Sequence, residues 1–551
     1  MRWRALEKKA LIYFLAVMGI FSQTASAEET PSKAFSIIPG MSVHGEYSLK
    51  GAMHRTGGSG DKTLLRRGEF LTNALKLQAE QILGLGWNAR TDLHVRKTQD
   101  PQIDKRKDLH MLGLTIEIYN PKFRFTFGDI FGDFSQYTLG QSLEGFQAAL
   151  DTDRLDVKAV AGHSQREDEG RQFKRYVFGG RSEVLAVKEY GPLSDARLGL
   201  NFSEAEDDRG SIENKGTAAD ASNRVGSFTH HAIFWEKSVW DMEAAKSWID
   251  EDARSGPVLR RAGTALRILN NTKLTKKAKT KLTYEWVGAD FNTLTGSAIP
   301  DRVNMLGRVN YRFNEAWMSD AAYRANYNKL DKSTADKRTV LHVPNMALTW
   351  TPNSSDWKLQ DFFSRLYWEM RRRYSQDDAT GQVDFQADEI GLEDEFKVRK
   401  YNLSSGWSIR KEDDDFQKIN DRLTNTGFIG VRTYRHFWRA DVVPSGRWMI
   451  LYDHKPKEEG RDLRHVMMTG LDMDFSGRVR FEQRYSLETN SRLLHDSDSI
   501  RFNAYAGVDY KIHGLQGTTL KISYEHIGFA HDVGIERFSE HNLQAEILQK
   551  F

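Results

Sequence analysis

Regular alternation of apolar and polar residues is the feature that most limits the folds open to this 551-residue chain. Between positions 41 and 50, odd positions are apolar or small and even positions are polar. The same period of two returns at 85–96 and, near the end of the chain, at 478–487 and 500–512. Successive side chains of a β-strand point to opposite faces, so the sequence predicts long strands with one apolar and one strongly charged face.

The connections between these strands alternate in length. Short turns such as 120–121, 151–153, 444–446 and 476–477 are interleaved with longer polar links such as 51–68, 129–141, 204–226 and 488–498. This pattern is typical of outer-membrane barrels, which have short periplasmic turns and long extracellular loops. We therefore predict an all-β fold, a large antiparallel transmembrane β-barrel of about 26 strands, or 24, without a plug or periplasmic domain. An even strand number places both termini in the periplasm.

The first 27 residues have the organisation of an export signal. A basic start is followed by an apolar run at 10–21 and by the small residues Ala25, Ser26 and Ala27. We expect a signal peptide at 1–27, a short periplasmic segment at 28–40 and the barrel at 41–551. Removing the signal leaves 75 residues of each sign from 79 basic and 76 acidic ones. A chain of zero net charge is not expected to bind nucleic acid.

Composition and motifs provide no sign of an enzyme. The chain has no Cys, which excludes disulfides, thiol nucleophiles, Cys-ligated metals and covalently attached c-type haem. The spacing at 84–89 matches a dinucleotide motif but opens a strand, and the adjacent His230 and His231 would point to opposite faces. The basic runs 273–281 and 371–373 lack an aromatic stacking platform. We expect no catalytic, cofactor or metal site in this chain.

The polar strand faces supply candidate pore-lining residues. These are Arg90, Asp92, His94, Arg96, Arg480, Glu482, Arg484, Asp509 and Lys511. The chain ends in Leu543, Ala545, Ile547 and Phe551 at alternating or terminal positions, which resembles the C-terminal β-signal of Gram-negative outer-membrane proteins. That resemblance implies an assembly signal, with the barrel-assembly machinery and outer-membrane lipid as partners.

A barrel of this size would have a diameter of roughly 50 Å, and an empty lumen that wide would leak. The longest link, 202–226, is too short to close it alone, so we expect something else to fill the pore. The segment 128–139 combines glycines, acids and aromatics, and either folds into the lumen or forms an extracellular loop.

A plugless, Cys-free barrel with this strand number resembles the barrel subunit of porin-cytochrome conduits, which carry electrons across the outer membrane. The resemblance implies multihaem c-type cytochromes inside or capping the barrel, with haem supplied only by those partners. Two other functions stay open. One is a general or substrate-specific porin, including one for polysaccharide export, and the other is a structural or adhesive surface barrel.

Overall fold

The computed structural model describes most of the chain after position 40. The described residues are 41–58, 66–104, 108–164, 173–212, 220–251, 261–328, 338–352, 360–375, 384–415, 421–457, 460–492, 497–515, 517–531 and 537–551. The predicted signal peptide and the segment 28–40 lie outside these ranges. None of the described residues forms a helix that is long and apolar enough to cross a membrane.

The described residues form a single antiparallel sheet of 27 hydrogen-bonded segments. In chain order they are β1 Met41–Gly58, β2 Gly68–Gly84, β3 Trp87–Thr98, β4 His110–Tyr119, β5 Phe123–Ser135, β6 Leu139–Asp151, β7 Leu155–Ser164, β8 Lys174–Tyr190, β9 Leu193–Asp208, β10 Ser222–Phe234, β11 Ser238–Asp250, β12 Arg261–Lys273, β13 Ala278–Val287 and β14 Arg302–Arg312. The second half contains β15 Trp317–Asn328, β16 Thr339–Trp350, β17 Gln360–Ser375, β18 Asp384–Val398, β19 Tyr401–Asp414, β20 Arg422–Thr433, β21 Arg435–Phe437, β22 Ala440–Lys455, β23 Gly460–Phe475, β24 Val479–Arg492, β25 Ser497–Lys511, β26 Thr518–His531 and β27 Arg537–Lys550.

The sheet closes on itself. The first strand pairs with the last, from Glu46 opposite Lys550 to Gly58 opposite Phe538. Segments β20 and β21 both pair with β22 and make one wall strand interrupted at Tyr434, so the barrel has 26 strands. The predicted fold class and strand number are confirmed.

Two predicted connections are wrong. The turn expected at 444–446 lies inside β22, where Pro444 is opposite Leu471 of β23. The pairing of β22 with β20 begins only at Ser445, and its pairing with β21 covers Ala440 to Val442, so the missing N–H of Pro444 costs no bond on that side. The long link expected at 129–141 is also wrong, because β5 continues to Ser135 and β6 begins at Leu139.

The two rims of the barrel differ. At one rim, which we call the turn end, β1 begins, β27 ends and most connections are short, as between Gly84 and Trp87 or between Tyr190 and Leu193. At the opposite rim, the loop end, most links are longer, and a 3-10 turn, Arg209–Ser211, follows β9.

Candidate functional site

A two-stranded ribbon leaves the barrel wall near the loop end. Strand β5 pairs with β4 only as far as Gly128, and β6 pairs with β7 only between Leu143 and Asp151. Beyond those points β5 and β6 remain paired with each other, up to Ser135 opposite Leu139. Residues 129–142, which we call the inward ribbon, are therefore detached from both neighbouring strands.

Gly128 marks the point of departure. Its φ of 94° is in the left-handed region, and a Cβ there would lie 1.9 Å from the carbonyl oxygen of Leu114. The next residue, Asp129, replaces backbone hydrogen bonds that β4 loses where its pairing with β5 ends. Its Oδ2 accepts the backbone N–H of Leu114 at 2.6 Å, and its carbonyl accepts the hydroxyl of Thr115 at 3.0 Å.

The tip of the ribbon binds three strands that are far apart in sequence. The Ser135 hydroxyl donates to Glu243 of β11 at 2.5 Å, and the Tyr137 phenol donates to Glu285 of β13 at 3.0 Å. The hydroxyl of Ser203 on β9 donates to the carbonyl of Thr138 at 2.9 Å. One short hairpin can reach β9, β11 and β13 only from the concave side of a closed sheet, so the ribbon lies in the lumen.

Tyr137 is fully buried at this tip. Burial, together with the adjacent Glu285 carboxylate, raises the pKa of its phenol, so Tyr137 remains a neutral hydrogen-bond donor. Apart from Phe131, which is 60% exposed, the large apolar side chains of the ribbon are buried as well, in a small core between ribbon and wall. Its members are Ile130, Phe134, Leu139, Leu143, Val160, Val177 and Ala205. The ribbon is thus anchored by both apolar packing and hydrogen bonds.

A second segment, 288–301 between β13 and β14, also folds into the lumen; we call it the inward loop. Phe291 is fully buried and meets the Tyr137 ring edge-on at a centroid distance of 5.4 Å. Gly263 of β12 makes this approach possible, since a Cβ there would lie 2.0 Å from the backbone nitrogen of Phe291. Backbone bonds join loop to ribbon, from Ser297 to Gln136 at 2.7 Å and from Gly140 to Thr295 at 2.9 Å.

Asn223 of β10 holds the inward loop against the wall. Its Nδ2 donates to the carbonyl of Asn292 at 3.1 Å, and its Oδ1 accepts the N–H of Leu294 at 3.0 Å. The alternating pattern of the sequence does not predict this segment. Its concentration of Gly, Asp, Asn, Thr and Pro indicates a long break between strands, but composition alone does not indicate which way such a break folds.

Beside the ribbon lies a charged cleft with a volume of about 570 Å³. Its charged lining consists of Arg181, Glu183, Asp195, Arg197, His231, Asp241, Glu243 and Arg267. Most of these groups are paired. Arg181 is 2.7 Å from Glu183, Arg197 is 3.3 Å from Asp195, and His231 is 2.6 Å from Asp241. Paired charges of both signs suit a hydrated wall better than a site for one strongly charged ligand.

The nine candidate pore-lining residues lie on the lumen face. Residues directly opposite in neighbouring strands point to the same face of the sheet. A row of such paired residues can therefore be followed from strand to strand around the barrel, and all its members lie on one face. From Ser203, which contacts the ribbon, the row runs through Gly179, Val160, Gln147, Thr126 and Glu117 to Arg90. From Thr98, two positions beyond Arg96, another row runs through Thr72, Lys50, Glu546, Lys521 and Asp509 to Arg480.

These nine residues fall into two groups, one on β3 and the other on β24 and β25. Because the sheet closes between β1 and β27, only four strands separate β3 from β25. Within the groups, charges pair locally. Arg90 is 2.8 Å from Asp92, and Arg484 contacts Glu482 and lies 3.8 Å from Asp472. The structure does not bring the two groups into contact with the charged cleft, which lies on β8 to β12.

The motifs set aside above do not assemble into a site. His230 is opposite Met242, on the outer face, and His231 is opposite Asp241, on the lumen face. Gly84 and Gly86 flank a turn with positive φ values of 94° and 79°. Within the described ranges, no group of three or more His, Cys, Asp or Glu side chains could hold a metal ion.

The C-terminal residues close the barrel. Leu543, Ala545 and Ile547 are opposite Met53, Gly51 and Leu49 of β1, on the face away from the lumen. Phe551 exchanges both backbone hydrogen bonds with Gly45, at 2.7 and 3.0 Å. Its ring lies where a Cβ on Gly45 would be, so the terminal aromatic covers a gap in the first strand.

The outer face of the wall is apolar. Large side chains remain exposed there around the barrel, among them Leu200 (66%), Met346 (57%), Trp407 (50%), Ile429 (58%) and Met467 (52%). An apolar belt this extensive is stable only against a nonpolar phase, and a closed barrel leaves no unpaired strand edge in that phase. The chain is a closed transmembrane β-barrel of the outer-membrane type.

No protein-family model matches the chain, and no curated protein sequence matches it. Among solved structures, it is similar to the Pseudomonas aeruginosa siderophore receptor PirA, with 8% identity, 95% of this chain and 81% of that chain covered, and a TM-score of 0.43. It is also similar to P. aeruginosa OccK2 (OpdF) in complex with glucuronate, with 10% identity, 92% and 98% covered, and a TM-score of 0.27. The translocation pore of the P pilus usher PapC has 10% identity, 92% and 99% covered, and a TM-score of 0.28. The assignment to a class rests on the closed sheet and its apolar outer face.

Proposed function

We propose that the barrel forms a wide passage through the Gram-negative outer membrane and that a polar partner occupies the part of the lumen left open by the inward ribbon. The observation that carries this proposal is the width of the lumen. Closing 26 tilted strands gives a backbone diameter of roughly 50 Å. Wall side chains and one ribbon layer leave roughly 30 Å, which is about the diameter of a small folded domain.

We further propose that the partner is one or more multihaem c-type cytochromes. The barrel would then insulate and position an electron conduit. The supporting features are the wide, charged lumen and the absence of Cys, which leaves haem attachment to the partner. The chain itself would contribute no redox group and no catalytic residue. A general or substrate-specific porin is the second candidate, and the uneven charge of the lumen wall described below is the observation in its favour.

Purification from outer membranes in mild detergent tests the partner. We expect haem absorbance to co-purify with the tagged barrel, and we expect the barrel freed of partner to conduct strongly in a planar bilayer. Untagged cells processed in parallel are the control for haem that binds the resin. A barrel that carries no haem but forms discrete channels would be a porin. A barrel that carries no haem and barely conducts would be structural.

We also propose an orientation, in which the turn end and both termini lie in the periplasm. The C-terminal residues would be recognised by the barrel-assembly machinery. Because the chain has no Cys, single cysteines can report this without background. Glu251→Cys at the loop end should react with a membrane-impermeant thiol reagent on intact cells. Lys276→Cys at the turn end should react only after the outer membrane is permeabilised. The opposite pattern would invert the orientation.

A further inference from the structure

The lumen wall is strongly basic along one side. At the register-paired lumen positions of β13 to β17 there are nine basic and three acidic residues. The basic ones, which we call the basic panel, are Lys279, Lys281, Arg302, Arg308, Arg312, Arg324, Arg365, Arg371 and Arg373. The acidic ones are Glu285, Asp320 and Glu369. The whole chain of 551 residues has a net charge of only +3, so this excess is local.

Much of the panel lacks an internal counter-charge. Arg308, Arg365 and Arg371 have carboxylate partners in Asp320, Glu393 and Glu369, at 2.8, 3.5 and 3.7 Å. Lys279, Lys281, Arg324 and Arg373 have no carboxylate of a described residue within ion-pair distance, and all four side chains are exposed to the lumen. Lys281 is directly opposite Arg308, so the single carboxylate of Asp320 stands beside two cations and leaves a local excess of one positive charge.

The panel extends through the height of the wall. On β14 alone it runs from Arg302 near the loop end to Arg312 near the turn end, a distance of roughly 33 Å along the tilted strand. Across β13 to β17 it is roughly 19 Å wide. A patch that binds one small ligand needs only a few charges at one depth, whereas a basic surface from rim to rim offers an anion contacts along its whole path.

We propose that the basic panel binds anionic groups, carboxylate, sulfate or phosphate, on solutes that pass through the lumen, so that the passage prefers anions. This inference rests on the proposed passage but not on a cytochrome partner. Because a Debye length is about 10 Å at 0.1 M salt, the wall controls a wide lumen only in dilute solution. The preference should therefore fade as salt rises.

The test compares two variants with the same change of charge. The panel variant combines Lys279→Gln, Lys281→Gln, Arg324→Gln and Arg373→Gln. The control combines Lys50→Gln, Lys76→Gln, Arg480→Gln and Lys521→Gln, which lie on the lumen face of other strands and likewise have no ion pair with a described residue. Neither set removes a described ion pair, so both variants should fold like wild type.

In planar bilayers with a dilute KCl gradient, we expect the wild-type barrel to pass chloride more readily than potassium. The panel variant should lose this preference, and the control should keep most of it. Polygalacturonate, a polymeric carboxylate, should block the wild-type current, with the half-blocking concentration raised roughly tenfold by the panel variant because several exposed charge pairs are lost.

Chloride preference without block by the polymer would mean that the panel binds only small anions. Block by the polymer would mean that it also binds acidic polysaccharides. Equal shifts in panel and control variants would overturn the inference, as would a wild-type barrel without anion preference. If the panel variant changes neither readout but loses co-purifying haem, the panel is instead a docking face for an acidic protein. Failure of the cytochrome proposal appears separately, as a wild-type barrel that carries no haem.

Discussion

Gly128 is the residue on which the inward ribbon depends most directly. Any side chain there would be strained by the positive φ and would collide with the Leu114 carbonyl. We expect Gly128→Val to lower the free energy of unfolding by at least about 1–3 kcal/mol, measured by urea unfolding in detergent. Gly140→Val is the matched control, because Gly140 lies in the same ribbon and a Cβ there would meet nothing within 4 Å. Equal effects of the two substitutions would contradict the assigned role.

For single residues, the sequence predicts which face of the sheet a side chain lies on better than it predicts which residue that side chain contacts. The nine candidate residues share a face, as alternation implies, and Arg90 pairs with Asp92 two positions away on the same side. The contacts that anchor the ribbon join Ser135 to Glu243 and Tyr137 to Glu285, which are 108 and 148 residues apart. The period of two along a strand determines which residues share a face. The long-range contacts depend on which strands the ribbon passes inside a closed barrel, and no local pattern encodes that.

At the scale of elements, the ribbon is expected to be held rigidly against the inside of the wall rather than to move as a gate. The hydroxyl oxygens of Ser135 on the ribbon and Ser227 on β10 are 3.2 Å apart. Ser135→Cys combined with Ser227→Cys should therefore form a disulfide in a chain that has no other Cys. We expect rapid cross-linking, seen as a mobility shift on non-reducing gels, and the same conductance in oxidised and reduced channels.

The control for that cross-link is Ser135→Cys combined with Ser247→Cys. Ser247 lies on the lumen face of β11, where its hydroxyl accepts the N–H of Asn292 in the inward loop and not a ribbon group. This pair should not cross-link. A large change in conductance when the Ser135–Ser227 pair is oxidised would show that the ribbon moves, and failure to cross-link would place it away from β10.

The wall strands could be predicted from sequence, whereas the inward elements could not. A wall strand has lipid on one side and water on the other, and this contrast imposes the period of two. The ribbon keeps strand geometry but leaves the wall, so Ile130 and Phe134 are buried against protein in the lumen. The inward loop has no regular period. For the segment 128–139 the sequence leaves the lumen and an extracellular loop as alternatives, and it does not predict the inward loop. The direction of folding of both elements is decided by tertiary packing on β7 to β13.

At the scale of the whole molecule, the strand number was predictable because each strand carries the chain to the opposite rim and each link joins two neighbouring strands at one rim. Errors at single turns, as at Pro444, leave the count unchanged when the strands on both sides are long. The two faces of the finished barrel are a stronger test than the count, because every strand must present the same side to lipid.

Met467 and Met468 test this directly, because they are adjacent, chemically identical and near the middle of β23. Met467 is opposite Trp448 and Leu487 on the outer face, and Met468 is opposite Arg447 and Ser486 on the lumen face. Met467→Lys should lower the free energy of unfolding in lipid vesicles by roughly 2–4 kcal/mol, the cost of a cation near the bilayer centre. Met468→Lys should cost no more than about 1 kcal/mol, since it meets water and one like charge. Equal losses would mean that both faces are dry, and a larger loss for Met468→Lys would reverse the assignment of lumen and lipid.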